Sequence, residues 1–161
     1  MKIKFPVAGL LFAGCLLFSA CNYDVALTEQ PTRKIDERLL GNWVAVDQDD
    51  HKAMLMSVRR LDDFNYVVAL DGDVYRAFHS DFAGTAFLSV QNLQPGGDDR
   101  KYVYFVWQLS ADGAQLSLQG VSTRVVPEET KGRAALQKLI QTNLANPKLY
   151  GDTLAFTPKK R

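Results

Sequence analysis

The sequence predicts a mainly β fold, an antiparallel meander of about eight strands with one α-helix before the last strand. Three observations predict it. From Trp43 onward apolar residues recur with a period of two, so that successive side chains point to opposite faces of a strand. The spacers between these runs are a few residues long, and a parallel crossover needs a dozen or more. A single segment, 131–145, switches to helical spacing.

Trp43–Val46 opens the series, and "AMLMSVRR" follows with Met54, Met56 and Val58 on one face against Leu55, Ser57 and Arg59 on the other. "LDDFN" turns that run into "NYVVAL", and Asp71-Gly72 turns "NYVVAL" into "DVYRAFHSDF". Asp-Gly suits a tight hairpin because both central residues must reach positive φ. Ala83-Gly84 then leads into "AFLSVQ", and "QPGGDD" into "YVYFVWQL". That run sets Val103, Phe105, Trp107 and Leu109 against Tyr102, Tyr104, Val106 and Gln108. Asp112-Gly113 precedes "QLSLQG". In the helical segment Leu136, Leu139, Ile140 and Leu144 share a face, with Thr130 placed to cap the start and Asn146-Pro147 to stop it. Each such residue contributes about 1.5–3 kcal/mol when buried, so the helix packs on the sheet. "DTLAF" supplies the last strand. A meander of this length curls and closes, because closure removes its edges.

Gly41-Asn42-Trp43, entering the first strand, resembles the G-x-W signature of lipocalin-like (calycin) barrels. The resemblance implies a lipocalin-like barrel in which Trp43 is the plug of the closed end and glycine lets the chain pass close beneath it. It also implies an interior able to carry a small lipophilic molecule.

The chain begins with Lys2 and Lys4, followed by apolar and small residues over 5–20. Such a run rises about 24 Å as a helix, short of the roughly 20 residues of a membrane span. A charged start, a short apolar stretch and small residues at its end form the secretory signal pattern. Its last residues, Leu17-Phe18-Ser19-Ala20-Cys21, resemble the bacterial lipoprotein signal. That resemblance implies cleavage before Cys21 and lipidation of its sulfur. Phe12-Ala13-Gly14-Cys15 has the same shape, but cleavage there leaves an apolar mature terminus, whereas polar sequence follows Cys21 at once. An ordinary signal peptide with an incidental cysteine is the plainer alternative. With Asn22 rather than aspartate next, the resemblance implies the periplasmic face of the outer membrane. The expected organisation is a signal peptide at 1–20, a polar tether at 21–38, and a barrel-like domain at 39–161 with its helix near 131–145.

Taking Lys2 and Lys4 from 19 basic residues leaves 17 against 18 acidic ones, a formal charge of −1. Nucleic-acid binding wants a clustered basic surface, so that partner class is excluded. With Cys21 lipidated no thiol remains for a disulfide.

Little of the sequence points to catalysis. His51 and His79 lack metal-ligand spacing, and Asp47, Asp49 and Asp50 lack the glycine and distal glutamate of a calcium loop, so no metal or cofactor is expected. His79 and Asp81 share a face with Tyr75 and Ala77, yet Ser80 points the other way, so they read as an exposed pair rather than an acid–base site. Asp98 and Asp99 read as loop, and Lys159 to Arg161 as a frayed basic tail. Tyr102 and Tyr104 form a possible contact surface if they lie outside the barrel uncovered, and plain core if the helix covers them. Phe105, Trp107, Phe78, Met54 and Met56 are the bulky inward candidates and favour a filled interior. The expected function is a non-enzymatic, lipid-anchored interaction module with an envelope protein as partner. A carrier of a small apolar ligand is the alternative, and an enzyme the third.

Overall fold

The computed structural model describes residues 23–46, 52–93 and 101–159. Cys15, Cys21, the aspartates at 47, 49, 50, 98 and 99, His51, Lys160 and Arg161 lie outside them. Eight antiparallel strands follow in order: β1 Gly41–Val46, β2 Ala53–Arg60, β3 Asn65–Leu70, β4 Asp73–His79, β5 Phe87–Asn92, β6 Tyr102–Leu109, β7 Leu116–Val121 and β8 Tyr150–Pro158. Each pairs with the next, and β8 returns to β1 through Trp43↔Pro158 and Val44↔Thr157, so the sheet closes as a barrel. Helix α1, Arg133–Asn143, lies in the connection before β8. The expected fold class is therefore the observed one. Asp71 and Gly72 both take positive φ, 47° and 100°, as a tight Asp-Gly hairpin requires.

Two apolar clusters share the sheet between them. Inside the barrel, Trp43, Met56, Val58, Tyr66, Leu70, Tyr75, Ala77, Leu88, Phe105, Trp107, Leu118 and Phe156 pack together. Outside, Phe87, Tyr104 and Val121 are covered by Leu136 and Ile140 of α1 and by Tyr23 and Leu27 from the segment before the barrel. The helix starts later than its periodicity suggests. Gly132, at φ 80°, takes the cap position and offers no side chain, so Thr130 does not cap it. Asn146 instead caps a single 3-10 turn at Pro147–Leu149, accepting from the Lys148 N–H.

The meander puts the connections β2–β3, β4–β5 and β6–β7 at one end, the floor, and β1–β2, β3–β4, β5–β6 and β7–β8 at the other, the mouth. A 3-10 turn at Glu37–Leu39 closes the floor beneath Trp43, whose indole Nε1 donates to the Leu39 carbonyl at 2.9 Å. Trp43 is 3% exposed. Gly41 adopts φ 149°, a conformation that L side chains rarely take, and a Cβ there would touch the Trp43 ring at 3.9 Å. Gly41→Ala is expected to cost about 1–2 kcal/mol with the fold retained, read from the urea midpoint at unchanged slope.

Candidate functional site

The stripe at Tyr102 and Tyr104 does lie outside the barrel, but most of it is covered. Tyr104 is 1% exposed, so the expected contact surface is corrected at that residue. Its ring stacks on Tyr23 at 4.8 Å between centroids and 3° between planes, and its hydroxyl donates to the Val25 carbonyl. Burial pushes its hydroxyl pKa up. Nor is the stretch 23–36 a free tether. It is a strap along the outer face: Tyr23 exchanges backbone hydrogen bonds with Tyr102, each 2.8 Å. The Tyr23 hydroxyl donates to the Val126 carbonyl at 2.7 Å, and Gln137 of α1 donates to the Leu27 carbonyl at 2.8 Å. The Leu27 N–H finds the Ser89 hydroxyl at 3.1 Å, and Ser80 bonds Ser89 at 2.8 Å. The strap is thus bonded to the strands and the helix it covers.

At the floor the strap crosses under the barrel, and here His79 is found buried, not exposed as the sequence suggested. It is 0% exposed because Tyr75, Ala77 and His79 are the inward set of β4. Phe78, expected inside, faces outward and meets Tyr102 edge-on at 6.5 Å. His79 Nε2 lies 2.8 Å from the Tyr66 hydroxyl, which accepts from the Asp36 N–H at 2.6 Å. Its ring is 5.3 Å from that of Trp107, and the Arg33 guanidinium sits 5.2 Å above Trp107 while pairing with Asp81 at 2.8 Å. Burial, and secondarily the Arg33 charge, lower the His79 pKa to about 4, against a smaller opposing effect of Asp81 and Asp36. The imidazole is therefore neutral at pH 7. Asp81 belongs to the strap's ion pair instead of to His79.

The barrel interior is close to full. Among the described residues, a cavity of about 60 Å³ lies inside it, lined by Met56, Val68, Leu70, Leu88, Val90 and Leu118 with the tyrosines Tyr66 and Tyr75. Small-molecule sites usually offer about 300–1,000 Å³.

A larger concavity lies outside. A groove of about 420 Å³ runs between the strap (Asp24–Ala26, Glu29–Pro31) and the outward residues Asn65, Arg76, Phe78 and Tyr102, with Arg133 of α1 at its border. Arg76 is held in place there. Its guanidinium lies 5.7 Å from the Phe78 ring centroid, and Nη2 donates to the Tyr102 hydroxyl at 3.1 Å. Its Nε is buried without an acceptor. Arg133 donates from Nε to the Ala26 carbonyl at 3.2 Å, fixing a second guanidinium in the same wall. Tyr102, half-buried, is thus the one member of the expected surface that reaches an open site. Sequence reasoning missed Arg76 and Arg133, which alternation marks only as outward or solvated.

Among the described residues no three His, Cys, Asp or Glu side chains gather where they could hold a metal ion, and no helix is long and apolar enough to cross a membrane. A scan against protein-family models and searches of curated proteins and of solved structures found no match.

Proposed function

We propose that the protein is a lipid-anchored envelope protein acting as a non-enzymatic interaction module, with the strap-side groove as its contact surface. One observation carries the reading: Arg76, held by Phe78 and Tyr102, and Arg133, held by the Ala26 carbonyl, set two fixed guanidinium groups in the wall of an open groove. A guanidinium is a rigid fork matched to carboxylates, and fixing it beforehand removes part of the ordering cost of binding. An acidic side chain or a chain-terminal carboxylate on an envelope protein fits that chemistry, with Phe78 and Pro31 offering apolar contact. The nearly full interior speaks against the carrier alternative. Membrane anchoring through Cys21 would raise the local concentration of such a partner.

The test places a photo-crosslinking amino acid at Gln30, in the groove wall, and at Leu55, on the outer face of β2, in intact cells. A discrete protein adduct from position 30 and none from 55 is expected, with the adduct lost on Arg76→Met. Equal adducts from both positions, or an adduct indifferent to Arg76, would overturn the assignment.

A further inference from the structure

Tyr23 is fixed at the mouth end of the barrel, because its backbone pairs with Tyr102 at the start of β6. Cys21 precedes it by two residues, so the sulfur-bearing residue is within about 7 Å of that end along even a fully extended chain. The same end carries an apolar rim. Val46 at the end of β1, Val74 at the start of β4 and Leu93 just after β5 are 58%, 39% and 36% exposed. Leu93 donates its N–H to the Val74 carbonyl at 3.0 Å, which holds the two side by side.

Building on the proposed lipidation of Cys21, we infer that the barrel docks mouth-down on the bilayer, with Val46, Val74 and Leu93 entering the headgroup layer. The occupant of this apolar rim is a lipid surface, because the strap delivers the acylated residue to it. The opposite end also exposes apolar side chains, Leu61 at 54% and Phe64 at 42%. They stand among ion pairs, Lys34–Asp63 at 3.2 Å, Arg60–Asp63 at 3.4 Å and Arg60 with Glu37, and face away from the anchor. Docking through these side chains of the mouth rests on apolar contact.

The test uses the lipidated protein extracted from cells and reconstituted on phosphatidylcholine–phosphatidylethanolamine vesicles. An environment-sensitive fluorophore is attached to a single cysteine placed at Val74, Leu93 or, as control, Lys34. Co-flotation with vesicles, and quenching by a headgroup-depth nitroxide lipid severalfold stronger at 74 and 93 than at 34, is expected. Leu93→Asp should weaken quenching at 74 while co-flotation persists. Equal quenching at all three sites, or stronger quenching at 34, overturns mouth-down docking and leaves the anchor standing. Failure to co-float overturns the anchor, and the docking with it.

Discussion

Tyr104→Ala is expected to lower the unfolding free energy by about 3–5 kcal/mol, the range for removing a large buried aromatic side chain. The cost comes from three partners lost together. The ring leaves its stack on Tyr23, the α1 face loses a neighbour in the outer apolar cluster, and the Val25 carbonyl loses its donor. Tyr104→Phe keeps the ring and is expected to cost about 1–3 kcal/mol, the penalty of leaving one buried acceptor unmet. Urea unfolding of the two variants checks both values. Amide exchange adds a local signature, since residues 23–32 of the strap should lose protection in the alanine variant before the barrel strands do. An exposed contact tyrosine would change stability by no more than about 0.5 kcal/mol.

Acidification supplies the second large effect. The His79 pKa falls from 6.5 to about 4 on folding, so the folded state favours the neutral ring. Its contribution is complete above pH 6.5, declines as pH falls from 6.5 towards 4, and is gone below that. Over this window the protein is expected to lose about 2–3 kcal/mol of stability. The groups around the ring are Tyr66 from β3, Arg33 and Asp36 from the strap, and Asp81 after β4. Asp24 and Asp36, whose carboxyls are lowered by Lys131 and Arg38, work in the same sense but in a lower window. Their stabilisation is present above the ordinary value of 3.8 and disappears as pH falls below it. His79→Gln keeps an acceptor for the Tyr66 hydroxyl and cannot titrate. Its unfolding free energy should be flat between pH 6.5 and 4 where the parent protein slopes. An unchanged slope in the variant would place the titrating group elsewhere.

The barrel was legible because alternation and short spacers are local and unambiguous. "YVYFVWQL" and "AMLMSVRR" occupy β6 and β2 over the very residues that the pattern marks. The cover on Tyr104 was not legible, because the strap reads as polar sequence and pairs with residues far along the chain. One signal was available: Tyr23, Val25 and Leu27 alternate like a strand within the supposed tether. On β4, alternation gives two sets, Phe78 with Arg76 and His79 with Ala77, but both faces are buried there, so composition cannot tell inside from outside. The more apolar choice, Phe78 inward, failed because the outer face is itself a core under the strap. Arg76 looked like an ordinary solvated side chain for the same reason.

Among the described residues two pairs register β1 against β8, with Lys159 donating one more bond to the Asn42 carbonyl at 2.8 Å. Val44 and Thr157 stand 113 positions apart, and Pro158, opposite Trp43, has no N–H to give. Contacts between such distant parts of a chain form late and slowly. In synthesis from the N-terminus, β8 is the last of the eight strands to appear. Until then the nascent sheet stays an unzipped ribbon with two bare margins, the stage at which it is most exposed to self-association and most in need of a chaperone's shelter.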